Sequence, residues 1–188
     1  MTPKAAEKWN SRYSGVIKEG LQVPRQLLID YQHLLPNQGR ALDIAMGLGS
    51  NANFLHEIGL NVTGIDISHQ AARLAKRSFP NLPVIVADLE NYSFPVSHFH
   101  VILNFYYFQK DLAERYAGML VNEGLLFFET LHQDFLQIKP EINPAYLVAK
   151  DELLELFPGL EVIHAFEGWT ENSAGKKKCI AQLIARKR

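Results

Sequence analysis

"ALDIAMGLGSNANF", residues 41–54, decides how this chain is read. An apolar run is followed by two glycines, Gly47 and Gly49, and then by a helix-like pattern. With Ala52 they satisfy G-x-G-x-x-[GA], the strand–turn–helix fingerprint that receives a dinucleotide pyrophosphate. Yet an aspartate, Asp43, interrupts the apolar run just before the loop. A pyrophosphate carries about two negative charges, and a carboxylate a few Å away repels it by several kcal/mol at low effective dielectric. The acid and the glycines point to different ligands.

Working outward from the loop, apolar β-rich runs alternate with amphipathic stretches of helical length. "RALDIA" (40–45), "NVTGID" (61–66), "PVIVAD" (83–88), "HVILNF" (100–105) and "GLLFFET" (124–130) read as strands. They are continuous rather than alternating, the pattern of parallel strands covered on both faces. "SNANFLHEIG" (50–59) sets Phe54, Leu55 and Ile58 on one helical face, with Gly59 as a left-handed stop. "SHQAARLAKRSFP" (68–80) begins with Ser68 as N-cap. "QKDLAERYAGML" (109–120) and "KDELLELFPG" (150–159) read as further helices. "LEVIHAFEGW" and "KKKCIAQLIAR" read as two closing strands. The alternation predicts an α/β, Rossmann-like, doubly wound sheet with helices on both faces. At 188 residues, with no internal repeat or low-complexity linker, residues 1–188 read as a single domain. Within it, 38–188 form the core and 1–35, with Trp9, Tyr13 and Tyr31, form a helical N-terminal cap or lid.

Ligands of such sheets bind beyond the carboxyl ends of the strands, so residues that end strands matter most. Asp43 and the glycine loop belong to the first strand, Asp66 to the second, Asp88 to the third, Asn104 to the fourth and Glu129 to the fifth. The glycines let backbone approach a ligand closely, and helix 50–58 aims its free N–H groups at the same place. Asp66 stands at the usual distance from the loop for an acid that accepts from a ribose diol. Asp88 is placed to accept from an adenine amino group. S-adenosylmethionine supplies the same adenosine with a sulfonium and an ammonium instead of phosphates. A carboxylate near the loop favours that ligand, either directly or by holding the loop in place. No G-K-[ST] follows the glycines, which excludes a Walker A loop.

Over nearly its whole length the chain resembles the class I S-adenosylmethionine-dependent methyltransferases. "ALDIAMGLGSNANFLHEIG" resembles their glycine-loop motif, "VTGIDIS" the ribose motif and "VIVADLENYSFP" the adenine motif. "FHVILNFYYF" is similar to the fourth motif and "LVNEGLLFFET" to the fifth strand. Together with "EKWNSRY", these stretches look most like the tellurite-resistance-type small-molecule branch. The resemblance implies a mostly parallel seven-stranded sheet whose last strand is antiparallel. It also implies cofactor contacts at Asp43, Ala45, Met46, Gly47, Gly49, Asp66, Ile67, Asp88, Leu89 and Asn104, with Tyr13 at the methionine end. Ala45 stands where the family's D-x-G-x-G-x-G has its first glycine, and Met46 follows it.

Other residues bear on the acceptor. His132, in "ETLHQD", is a candidate general base just past the fifth strand, against the ordinary role of a structural histidine. Tyr106 and Tyr107 wall a substrate or fill core. Cys179 lies in a strand pattern and reads as packing, and His98 and His100 lack a third metal ligand, so no metal site is expected. "GKKKC" (175–179) and "RKR" (186–188) are short and basic in a chain of net charge −1, which argues against nucleic acid. "NFYY" lacks the prolines of the [DNS]-P-P-[YF] motif of nucleic-acid amino-methyltransferases. A single cysteine, no secretory h-region and no spanning run point to the cytosol, without membrane contact. The expected activity is direct in-line methyl transfer to a small molecule by a monomer or homodimer. The alternative is a non-catalytic cofactor-binding module, kept open by the Ala45-Met46 departure; a nicotinamide oxidoreductase is disfavoured by Asp43 and Asp88.

Overall fold

The computed structural model of the chain describes residues 3–14, 23–171 and 175–188. Its strands are β1 (Arg40–Ile44), β2 (Asn61–Asp66), β3 (Val84–Val86), β4 (Phe99–Phe105), β5 (Leu120–Leu131), β6 (Leu160–Glu171) and β7 (Lys177–Lys187). They form one sheet in the order β3-β2-β1-β4-β5-β7-β6. β1 to β5 run parallel, and β7 pairs antiparallel with both β5 and β6. This is the class I methyltransferase topology with the antiparallel last strand that the sequence leads one to expect. Strand order reverses between β1 and β4, so a crevice is expected beyond the carboxyl ends of those two strands.

Helices cover both faces: α1 (Pro3–Tyr13), α2 (Gln26–Asp30), α3 (Ser50–Glu57), α4 (His69–Ser78), α5 (Lys110–Ala113), α6 (Tyr116–Met119) and α7 (Glu152–Leu156). Alternate side chains of each strand point to opposite faces. On one face Val101, Leu103, Phe127 and Ile184 pack with Leu27 and Leu28 of α2 and Leu55 of α3. On the other, Ile102, Phe128 and Leu183 pack with Leu112, Tyr116 and Leu153 of α5 to α7. Two buried faces explain why the central strands read as unbroken apolar runs.

Several boundaries differ from the sequence reading. The helix expected over 109–120 is two single turns, α5 and α6, running directly into a β5 that begins at Leu120 rather than Gly124. α3 ends at Glu57, which leaves Ile58 as its C-cap and 37% exposed instead of on the buried face. Gly59 stops that helix at φ 103°, as its position predicts. Ser68 caps α4, accepting from the Ala71 N–H at 3.1 Å. β3 ends at Val86, so Asp88 sits in the loop beyond it. Of the N-terminal segment, residues 15–22 lie outside the described residues.

Candidate active site

The loop between β1 and α3 is held open by three left-handed residues, Ala45 (φ 52°), Gly47 (57°) and Gly49 (79°). Its anchor is Asp66 at the end of β2. The Gly47 N–H donates to Asp66 Oδ2 and the Ser68 N–H to Asp66 Oδ1, both at 2.8 Å. Asp43 lies beneath the loop and accepts from the Ala52 N–H in the first turn of α3. Its Oδ2 is buried without a hydrogen-bond partner. Burial raises the Asp43 pKa to about 8, the Ala52 bond opposes the rise and the Asp66 charge adds to it. Burial likewise raises Asp66, against the bonds from Ser68 and Gly47. Two buried acids around an open loop fit a cationic nucleoside ligand, whose charge favours their ionised forms, better than a pyrophosphate, which disfavours them.

Met46 turns away from the loop. A Cβ on Gly64 of β2 would lie 2.1 Å from Met46 Sδ, so this side chain fills the space left by a glycine in the next strand. Its backbone is tied as well: the Met46 N–H donates to the Ile65 carbonyl and the Met46 carbonyl accepts from the Gly49 N–H, both at 3.0 Å. Ala45 adopts a conformation that glycine takes at little cost and other residues at about 1–2 kcal/mol. Ala45→Gly is therefore expected to stabilise the protein by about 0.5–1 kcal/mol after the entropy loss, raising Tm by roughly 1–4 °C in a thermal melt.

α1 sits over this end of the sheet. Asn10 Oδ1 accepts from the Ser68 Oγ–H at 2.8 Å and the Gln70 N–H at 3.3 Å, fixing α1 to the start of α4. The Tyr13 hydroxyl lies directly above the loop, 2.8 Å from where a Cβ on Gly47 would stand. Burial and the Asp66 charge raise the Tyr13 pKa. Its phenol is thus a neutral donor at the loop.

The remaining expected residues divide. Ile67 follows Asp66 half-buried, and Leu89 is buried in the core under α5 to α7. Asp88 Oδ1 accepts from the Glu90 N–H, forming a local turn. Asn104 is fully buried: its Nδ2 donates to the Tyr107 carbonyl at 2.6 Å, and its Oδ1 accepts from Tyr116 Oη–H at 2.9 Å. Its side chain positions the β4 terminus, and its backbone lies in register with Ile44 of β1 and Phe128 of β5. Tyr106, at φ 60°, is a second strained non-glycine residue, so Ala45 and Tyr106 end the two strands that flank the topological switch. Tyr107 faces the acids, and burial with the charges of Glu90 and Asp88 raises its pKa. Tyr106 faces the other way, toward Arg25 and Lys178.

His132 goes to the opposite face of the sheet. It is buried with its Nδ1 accepting from the Asp134 N–H at 3.2 Å and 3.6 Å from Cys179 Sγ. Its Nε2 is unpaired, 3.9 Å from Glu167 Oε2. Because Lys178 and Cys179 alternate along β7, Lys178 joins Tyr106 while His132 joins Cys179. One ligand-capable group of three, His132, Asp134 and Cys179, is found among the described residues, with donor atoms within 4.8 Å of one another. Trp169 is exposed and packs edge-on against Phe135, away from the glycine loop. The sequence reading missed Arg25 and Lys178, one in an unmarked "VPRQLL" and one in a lysine run.

Comparison with known proteins agrees with this geometry. Residues 41–124 match a family described as a methyltransferase domain. No curated protein matches the sequence. An S-adenosylmethionine-dependent methyltransferase from Methanosarcina mazei superposes with TM-score 0.70 at 19% identity, over 88% of this chain and 98% of its own. TehB from Haemophilus influenzae gives 0.72 at 16%, over 97% and 67%. Geranyl diphosphate C-methyltransferase from Streptomyces coelicolor A3(2) gives 0.74 at 12%, over 100% and 99%. The matched stretch, 84 of the 188 residues, runs from β1 to the start of β5, and the chain shares the fold of these methyltransferases. Among the described residues no helix is long and apolar enough to cross a membrane.

Proposed function

We propose that the protein transfers the methyl group of S-adenosylmethionine to a small-molecule acceptor held beneath α1. One observation carries the reading: the glycine loop lies between two buried carboxylates, Asp43 and Asp66, and beneath the Tyr13 hydroxyl. In this reading Asp43, Asp66, Asp88 and the backbone of 45–49 hold the cofactor, with Ile67 and Leu89 along the adenine and Tyr13 at the methionine end. The cofactor supplies an electrophilic sulfonium methyl, so the chain's own task is to exclude water and hold the nucleophile in line. Such positioning supplies about 7–11 kcal/mol of the barrier reduction. α1 is in the right place to close a pocket for a small acceptor, so it acts as a lid. The tellurite-resistance-type branch rests on "EKWNSRY" and "VTGIDIS", since TehB is one of several structural neighbours of similar likeness.

Calorimetry tests the reading. S-adenosylmethionine and S-adenosylhomocysteine are expected to bind, NAD at least about tenfold more weakly because of the doorstep carboxylates. Amide exchange in α1 is expected to slow when cofactor binds. NAD binding more tightly than both would overturn the cofactor assignment, and unchanged exchange would overturn the lid. A product assay with labelled cofactor against a panel of small acceptors then reads the reaction itself.

A further inference from the structure

The cofactor end of the crevice is acidic, with Asp43, Asp66, Asp88 and Glu90 grouped beyond β1 to β3. Around Tyr106 the charge is of the other sign, although Arg25 is near enough for its charge to act on Asp43. Arg25 Cζ lies 4.4 Å and Lys178 Nζ 4.5 Å from the centroid of the same ring, that of Tyr106. Arg25 precedes α2, and its N–H donates to Asn51 Oδ1 at 2.8 Å, which ties its backbone to α3 beside the glycine loop. Lys178 comes from β7, at the opposite end of the chain. Tyr106 is held between them by its left-handed backbone and by its own N–H, which donates to the Glu129 carbonyl at 2.7 Å.

This cluster carries more positive charge than it balances. Among the described residues neither Arg25 nor Lys178 makes an ion pair with a carboxylate. The acid whose charge reaches Lys178 is Glu129, one carboxylate for two cations, and it is already shared between the Tyr106 side chain and Gln182 Nε2, the latter at 2.7 Å. Burial and the Arg25 charge hold the Lys178 ammonium below its ordinary pKa, against the opposing charge of Glu129. A ring face attracts a cation only weakly, so stacking does not offset the repulsion of two half-buried cations. A chain of net charge −1 has no general excess of cations to place here. Such crowding is relieved by an anion.

We infer that Arg25, Lys178 and Tyr106 form a receptor for an anionic group, a carboxylate or a phosphate, carried by the methyl acceptor. The word acceptor rests on the methyltransferase reading; the anion receptor itself does not. Arg25 offers a planar fork suited to two oxygens, Lys178 a point charge and Tyr106 an apolar ring for the body of the molecule. The other source of an anionic group is the carboxylate of the cofactor's own methionine end, so the test is run with the cofactor site filled.

Benzoate, inorganic phosphate and the neutral isostere benzamide are titrated into the full chain by calorimetry and amide NMR, with and without saturating S-adenosylhomocysteine. Benzoate is expected to bind the loaded protein about tenfold more tightly than benzamide and to shift the Tyr106 amide. Arg25→Gln and Lys178→Gln should each weaken benzoate about tenfold while leaving S-adenosylhomocysteine affinity within about twofold. Tyr106→Phe keeps the ring and should retain the preference for benzoate. Equal binding of benzoate and benzamide would overturn the proposal. So would displacement of benzoate by S-adenosylhomocysteine together with loss of S-adenosylhomocysteine affinity in Arg25→Gln, which would give the cations to the cofactor. Absence of S-adenosylhomocysteine binding with benzoate binding intact would fell the methyltransferase reading and leave the anion receptor standing.

Discussion

Asp66→Ala is expected to raise the dissociation constant for S-adenosylmethionine by at least about tenfold and to destabilise the free protein by roughly 2 kcal/mol or more. The two effects share a cause. Asp66 is 6% exposed, and its oxygens take the N–H groups of Gly47 and Ser68. Removing the carboxylate orphans both donors, each at a cost of about 1–3 kcal/mol, offset in part because a buried carboxylate is itself costly to ionise. The loop that carries Gly47 then loses its link to β2. Any remaining acceptor capacity of Asp66 toward ribose hydroxyls is lost as well. Asp66→Asn separates the contributions, because its amide keeps one acceptor oxygen but sets an NH₂ against the second N–H. It should fall between wild type and alanine in urea denaturation and in calorimetry. A folded Asp66→Ala protein with unchanged cofactor affinity would remove Asp66 from the site.

What the sequence made legible was whatever a short window contains. The sheet followed from apolar runs too continuous for exposed strands, and the ligand class from one acid inside such a run. The Ser68 cap and the Gly59 stop are decided within four residues of chain. The unread features join distant windows. Met46 is a departure from the glycine pattern that makes sense only once Gly64 of the neighbouring strand lies beneath it. Asn104 is tied by its side-chain oxygen to Tyr116, twelve residues on, a bond that no local window shows. Tyr106 and Tyr107 are adjacent in sequence, yet a left-handed residue sends one toward cations and the other toward acids. His132 follows Glu129 by one helical turn's worth of chain, but strand alternation places it with Cys179 on the far face. Arg25 and Lys178 have no local signature at all, and only the closure of β7 against β5 brings them to one ring.

Cofactor binding is expected to expel a proton near neutral pH, and Asp43 is its source. In the free protein burial holds the Asp43 carboxyl at about pKa 8, against 3.8 for an ordinary one. Below about pH 4 both folded and unfolded chains carry this proton, and the contribution to stability is fully present. As pH rises from there the unfolded chain ionises while the folded one does not, so stability is lost at up to about 1.4 kcal/mol per pH unit until the folded group ionises too. A bound cation reverses the preference, because the ionised form gains a partner of opposite charge. At pH 7 binding should therefore release close to one proton, read by calorimetry in buffers of different ionisation enthalpy. Affinity should climb by up to about tenfold per pH unit between roughly pH 6 and 7.5. Asp43→Asn keeps an oxygen for the Ala52 N–H but has no proton to lose. It should flatten the pH dependence of binding and melt at a higher temperature than wild type at pH 8 in the absence of ligand. Proton release that persists in Asp43→Asn would assign the titration to another group and leave the buried acid a purely structural tie between β1 and α3.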